Sequence, residues 1–362
     1  MKRKTIISTS VDKDSWNDFV VRCEVGTLFQ TTYYADYCED YLKMKPIYVT
    51  IIGHDGKTQG QLLLFKQAIH HRYWLEKYFD FATLPFLRAV LPELYWRDGP
   101  LFLNGETIKD ALSYILEAVD IIAKREKAIK IRNINLPILF RPNEELYQLF
   151  RQMGFHAQRW GTFIIELSNE ETKLWSNLSK KARTPIRKSE RQGIYLERVD
   201  DEKGLRKYYE ILVESKKRAK LRYYSYRNLL KMWIHFRPIN AIEIFLAKKD
   251  ERVIAGTSIF NFNGHANMFG PVRSDFCYEN KLDAGDLLQW EIIKWSKKNR
   301  CKVYDLTGLN PKPRTKAEAG IYKFKEKWGG ELFIYNQYTK IYPGWKSRLI
   351  CCVGRIVSSG GP

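Results

Sequence analysis

Leu146-Tyr147-Gln148-Leu149-Phe150-Arg151-Gln152-Met153-Gly154 reads as a short helix stopped by glycine, and its design returns as Ile321-Tyr322-Lys323-Phe324-Lys325-Glu326-Lys327-Trp328-Gly329. Tyr147 falls on Tyr322 and Gly154 on Gly329 at one constant offset. A glycine just past the last periodic residue supplies the left-handed turn that ends a helix. Working outward, each copy is preceded by a short strand pattern, at residues 128–134 and 302–306, that runs into Asn and Pro as Asn135-Leu136-Pro137 and Asn310-Pro311. Before each strand lies an amphipathic helix, with Ile108, Leu112, Ile115, Val119 and Ile122 on one stripe and Leu288, Ile292 and Trp295 on the other, where Asp283 is the candidate cap. In front of each helix is a hairpin. Residues 47–52 and 61–65 flank Gly53-His54-Asp55-Gly56; residues 241–247 and 253–262 flank a turn at 248–251, and Asn263-Gly264 then turns into residues 265–272. A final strand follows each glycine, at 161–167 and 331–338.

Hairpin, helix, strand, helix, strand is thus written twice, which predicts a duplicated domain. A helix between strands requires a sheet with helices packed on it. The fold class expected is α/β (α+β), as two tandem GNAT-like, that is acetyltransferase-like, domains, each a mixed sheet flanked by helices. The expected boundaries are residues 1–167, residues 168–345 and a basic, apolar tail at 346–362. The first copy carries an aromatic-rich insert at residues 70–105, which fits either a cover over a cleft or ordinary core.

The chain has 362 residues, 44% of them apolar, enough for two cores. Its 61 Lys plus Arg against 41 Asp plus Glu give a formal net charge of +20. That excess points to a polyanionic partner: RNA, anionic lipid or a phosphorylated substrate. Cys23, Cys38, Cys277, Cys301, Cys351 and Cys352 form no C-x-x-C, and no His lies at zinc-ligand spacing, so free thiols in a reducing cytosol and no metal are expected. No run of about 18 apolar residues predicts a spanning helix. The tail mixes Lys346, Arg348 and Arg355 with Leu349, Ile350, Val353 and Ile356, which suits either peripheral membrane contact or a docked terminus. A cytoplasmic protein, at most touching the inner face of the membrane, is expected.

Chemistry is concentrated in the second copy. By the constant offset Phe150 holds the place of Lys325, and Leu149 that of Phe324, so a cation stands in one copy where the other is apolar. This places the chemistry, or an anionic donor, in the second domain. Asp305-Leu306-Thr307-Gly308-Leu309-Asn310-Pro311 leaves the end of a strand, where α/β sheets bind ligands. Residues 173–231 hold 18 Lys plus Arg and 7 Asp plus Glu. Arg183, Arg187 and Arg191 recur every four residues and would share a helix face; Pro185 is expected in the first turn of a helix beginning near Thr184. Farther on, Arg218, Arg222, Tyr224 and Tyr226 interleave cations with rings, a mixture suited to single-stranded nucleic acid. No H-E-x-x-H, G-x-S-x-G, Walker loop or Rossmann loop occurs. The Arg/Gln-x-x-Gly-x-Gly/Ala loop that would hold the pyrophosphate of acyl-CoA is also missing: its expected place reads Arg273-Ser274-Asp275-Phe276-Cys277, with only Ala284-Gly285 near the helix.

These residues resemble the Fem family of peptidoglycan aminoacyltransferases. The likeness rests on Trp175-Ser176-Asn177-Leu178-Ser179-Lys180-Lys181-Ala182-Arg183 with Ile186-Arg187-Lys188, on Tyr304-Asp305-Leu306-Thr307-Gly308, on Gly320-Ile321-Tyr322-Lys323-Phe324-Lys325 with Trp328-Gly329-Gly330, and on Gly26-Thr27-Leu28-Phe29-Gln30-Thr31. The resemblance implies an enzyme with no bound cofactor, an aminoacyl-tRNA donor, and an amine acceptor on a nucleotide-sugar or lipid-linked envelope precursor. It implies Phe324 and Lys325 at the active site, the Lys steadying charge that develops during transfer. Asp305, read from its place at the strand end, is the candidate base or merely a turn anchor. Arg183, Arg187, Arg218, Arg222, Tyr224, Tyr226, Gly308, Asn310 and Lys323 are the candidate donor-binding residues. The rivals are an acyl-CoA-dependent N-acyltransferase on the same fold and a non-enzymatic RNA- or membrane-binding module.

Overall fold

The computed structural model describes residues 3–68, 91–103, 108–140 and 144–344. Most of the aromatic insert and the whole 346–362 tail therefore lie outside the described residues. The strands in chain order are β1 (Lys4–Ser8), β2 (Lys45–Ile52), β3 (Thr58–Ala68), β4 (Pro92–Tyr95), β5 (Leu101–Phe102), β6 (Lys130–Ile134), β7 (His156–Glu166), β8 (Tyr195–Arg198), β9 (Ile242–Lys249), β10 (Arg252–Phe262), β11 (His265–Arg273), β12 (Val303–Asp305) and β13 (Glu331–Ile341). The chain divides into two compact units, one from Met1–Gln158 with Tyr335–Pro362, the other Arg159–Ile334.

In the first unit β1, β2, β3 and β4 pair antiparallel in that order, β4 pairs β6 in parallel, and β6 pairs β13 antiparallel. In the second unit β8, β9, β10 and β11 pair antiparallel, β11 pairs β12 in parallel, and β12 pairs β7 antiparallel. The two ladders have the same order and the same parallel step. The fold class is as expected: tandem GNAT-like units of mixed sheet and helices.

The division into units differs from the expected boundary near residue 167 in one respect. The last strand of each copy serves the other copy's sheet. Ile164, Ile165 and Glu166 of β7 pair with β12, while Tyr338, Lys340 and Ile341 of β13 pair with β6. The apolar faces show why each strand is held there. Tyr338 is 1% exposed and stacks on Phe150 with centroids 3.9 Å apart. Phe163, at Tyr338's place by the constant offset, packs edge-on to Tyr322 at 5.4 Å within the second unit's core. Aromatic pairs of this kind are worth about 0.5–1.5 kcal/mol beyond the area they bury.

Helix Ile108–Arg125 turns Ala111, Leu112, Ile115, Leu116, Val119 and Ile122 to the first core. Helix Ala284–Lys298 does the same for the second with Leu287, Leu288, Ile292 and Ile293. Two local expectations are corrected. Asp283 stands at the N-cap position but its side chain makes no cap hydrogen bond; Oδ2 accepts from Lys188 Nζ at 3.0 Å. The helix carrying Arg183 and Arg187 begins at Lys180 and runs to Arg191, so Pro185 lies in its interior. Burial of Ala182, Ile186 and Ser189 on one face outweighs the backbone hydrogen bond that the proline cannot donate.

Candidate active site

Strand β11 pairs with β12 at His265, Ala266 and Asn267, and continues to Arg273 beyond the end of that ladder. On its other side Gly256 pairs with Val272 and Ser258 with Phe269, so Thr257 faces the two residues Gly270 and Pro271 across a bulge. Gly270 has φ +62°, and Pro271 has no N–H to give the ladder. The carbonyls freed here are taken up locally: Ser258 Oγ donates to Phe269 O at 2.8 Å and Tyr208 Oη to Gly270 O at 2.6 Å. A β-carbon on Gly256 would stand 2.9 Å from Tyr208 Cδ2, so glycine there lets helix Glu202–Arg218 lie close against the sheet.

Where the strands part, a cavity of about 550 Å³ opens within the second unit, the size of a small-molecule site. Thr257, Pro271, Val272 and Arg273 form its sheet wall. Ser215 and Arg218 close it from helix Glu202–Arg218, and Asp283, Gly285, Asp286 and Gln289 from the start of helix Ala284–Lys298. Phe324 and Lys327 complete it from the end of helix Lys316–Glu326. Three cations thus face two carboxylates. Arg218 is tied to Asp275 and donates to Arg273 O at 2.8 Å. Lys327 Nζ donates to Asp286 Oδ1 at 2.5 Å and lies 4.9 Å from the Phe324 ring centroid. Burial raises the Asp286 carboxyl above the usual carboxylate range, against the opposing pull of Lys327. Gln289 Nε2 donates to the buried Tyr304 hydroxyl at 2.8 Å.

Lys325, the catalytic candidate, is turned toward the loop after β12. It is 5% exposed and is not among the residues that line the cavity. Its Nζ donates to Thr307 O and Gly308 O, each at 2.9 Å. Burial pulls its pKa from the usual 10.5 to about 8, while the Asp305 charge pulls the other way. Asp305, 5% exposed, accepts from Thr162 Oγ1 at 2.5 Å and from Thr307 N at 2.6 Å. Thr307 has φ +63°, a strained value for a β-branched residue. Asp305 accepts the N–H of that strained residue, while Thr162 Oγ1 and Lys325 Nζ both donate to its carbonyl. Lys325 and Asp305 both hold the loop after β12 through these hydrogen bonds. Phe324 and Lys327 are the neighbours of Lys325 that reach the cavity.

The other candidates divide. Arg218 lines the cavity. Gly308 is a close-approach glycine, since a β-carbon there would lie 2.2 Å from Trp160 Nε1. Asn310 braces the loop, its Nδ2 donating to Glu318 Oε2 at 3.2 Å. Tyr224 lies parallel to Phe269 with centroids 5.8 Å apart. Tyr226 donates to Glu202 Oε1 at 3.0 Å and lies under the Arg206 guanidinium. Arg183 is half-buried; Arg187, Arg222 and Lys323 are exposed, and Arg187 lies over the Trp175 ring. None of these last six lines the cavity. Sequence reading missed Lys327, Asp286 and Arg273. The one available signal for Lys327 was its place beside Trp328-Gly329-Gly330, where a helix ends.

Residues 176–326 match the family described as acetyltransferase (GNAT) domain. No curated protein sequence matches the chain. Among solved structures, FemX is similar with a TM-score of 0.75 at 16% identity, over 97% of this chain and 100% of that one. L-PGS from Bacillus licheniformis is similar with a TM-score of 0.56 at 12% identity, over 94% and 95%. A tandem GNAT protein from the clavulanic acid biosynthesis pathway has a TM-score of 0.56 at 11% identity, over 95% and 100%. The chain has the Fem-type tandem GNAT fold. Among the described residues no helix is long and apolar enough to cross a membrane.

Proposed function

We propose that the chain is an N-acyltransferase that moves an aminoacyl group from aminoacyl-tRNA to an amine on a cell-envelope precursor, nucleotide-sugar or lipid-linked. The observation that carries this reading is the cavity beside the β10–β11 bulge, with Arg218, Arg273 and Lys327 around it and a helix N-terminus already furnished with the chain's own Asp286. A carboxylate in the first turn of that helix takes the field that would otherwise favour a pyrophosphate. The stretch between β11 and this helix holds the short helix Asp275–Glu279 where a glycine loop would be needed. Both features weigh against acyl-CoA. The exposed cations Arg187, Arg222 and Lys323 suit an RNA backbone.

In the reaction proposed, a neutral amine attacks the ester carbonyl. The C–N bond forms, the ester C–O bond breaks, and the terminal ribose hydroxyl leaves with the proton that the amine gives up. The chain supplies position and positive potential: Lys327 and Arg218 face the site where negative charge develops, and the loop clamped by Lys325 and Asp305 holds Phe324 and Lys327 in place.

The test offers charged, isotopically labelled tRNA to the full chain with a panel of nucleotide-sugar and lipid-linked amine acceptors, beside an acetyl-CoA titration. Label transfer to an amine, without tight acetyl-CoA binding, is the expected result. Acetyl transfer with tight acetyl-CoA binding would overturn the donor assignment. Salt-steep RNA binding with no product from either donor would make the chain a binding module.

A further inference from the structure

Asp286 has chemistry left over. Its Oδ1 accepts from Lys327 Nζ at 2.5 Å, and Oδ2 makes no hydrogen bond among the described residues. The side chain is 14% exposed, and what it is exposed to is the cavity it lines. A half-buried carboxylate with one committed oxygen and one open oxygen is a site for a hydrogen-bond donor, and a cationic donor is favoured. The groups that face it are Lys327 from the end of helix Lys316–Glu326, Arg273 from β11 and Asp283 one turn earlier. Asp283 is itself engaged by Lys188 at 3.0 Å. Asp283 is the other carboxylate of the lining and is the more exposed of the two, at 33% against 14%, so the open oxygen of Asp286 is the more enclosed anionic position in a cavity whose cationic lining groups are Arg218, Arg273 and Lys327. An ammonium fits against Asp286 Oδ2 and is disfavoured beside Arg218, Arg273 and Lys327.

We infer that Asp286 is a specificity-determining residue that binds a primary ammonium group of the substrate in this cavity. The inference rests on the transfer reaction proposed above and deepens it. An aminoacyl donor carries such a group one carbon from the reacting carbonyl, and the acceptor is an amine before it loses its proton. Both share the chemistry that Asp286 Oδ2 would recognise. An acetyl group carries no such ammonium, so this carboxylate separates aminoacyl from acetyl donors by a contact that only the former makes. Lys327 neutralises Asp286 and can turn toward the developing oxyanion once an ammonium shares the carboxylate.

The test uses the full chain and a stable donor mimic, 3′-deoxy-3′-(alanylamino)adenosine, alongside its N-acetylated form. Wild type is expected to bind the free amine about tenfold or more tightly than the N-acetyl form, the range of a charge-assisted hydrogen bond. Asp286→Asn is expected to bring the ratio near one while leaving affinity for the N-acetyl form unchanged. A merely structural role would lower both affinities and keep the ratio. Lys327→Met, which frees Asp286 from its partner, is expected to widen the ratio, and it covers the case in which Asp286→Asn does not fold. If the ratio stays intact in Asp286→Asn but KM for the amine acceptor rises with kcat little changed, the ammonium recognised is the acceptor's. Equal binding of the two nucleosides by wild type, with label transfer intact and acceptor KM unmoved in Asp286→Asn, overturns the inference and leaves the transferase reading standing. Failure of wild type to bind either nucleoside, with no transfer from charged tRNA, overturns both.

Discussion

Replacing Lys325 by Met removes an ammonium while nearly keeping its length, and the consequence should be read in the pH dependence of stability. Burial lowers the Lys325 pKa from the usual 10.5 to about 8. At about 1.4 kcal/mol per pH unit, holding the charged form inside the fold costs about 3 kcal/mol near neutral pH. The unfolded chain binds this proton more tightly than the folded one. The cost is therefore fully present below about pH 8 and fades as pH rises toward 10.5, so this group makes stability rise with pH across that window. Methionine carries no such cost, but it leaves the Thr307 and Gly308 carbonyls without their donor, a loss of about 1 kcal/mol each. At pH 7 the two effects nearly cancel, and Lys325→Met should lie within about 2 kcal/mol of wild type. Between pH 7 and 10 wild type should gain roughly 2 kcal/mol on the variant. Urea unfolding of both proteins at pH 7, 8, 9 and 10 measures this; other titrating groups cancel in the difference. Parallel curves would mean that the ammonium is solvated, and would remove Lys325 from the clamp on the loop after β12.

Gly308→Ala should cost about 1–3 kcal/mol and lower Tm, because Trp160 Nε1 lies 2.2 Å from where the new carbon must go; an unchanged Tm would mean that the indole is not packed there. A fragment of residues 159–334 should be soluble and unfold cooperatively. A fragment of residues 168–345 should aggregate, because without residues 159–167 it exposes the β12 edge and loses Phe163 and Ile165 from its core. Circular dichroism and sedimentation compare the two, and equal folding of both would refute the strand exchange.

The duplication was legible because it is a matter of period and punctuation. Apolar residues three and four apart on Ile108–Arg125, the Asn263-Gly264 turn and the Gly154/Gly329 stops fix each element locally, and the order of elements fixed the two sheets. The exchange of β7 and β13 was not legible. The two strands have the same pattern, and pairing is settled by which ladder edge and which aromatic neighbour each one meets, Phe150 for Tyr338 and Tyr322 for Phe163.

The site divides in the same way. Reading one copy against the other picked out Phe324 and Lys325, because a cation standing opposite a phenylalanine is visible in a string of letters. It did not say where the ammonium goes. That depends on the path of the loop after β12, which bends through Thr307 at φ +63° and brings two carbonyls to Lys325. Lys327 and Asp286 are 41 residues apart, and nothing in either segment announces the other. Local sequence determined the helices, the strands and their repetition, since those follow from interactions within a few residues. Which charges share the cavity was decided only by packing, because Coulombic partners are chosen by distance in space and the chain folds over itself to set that distance.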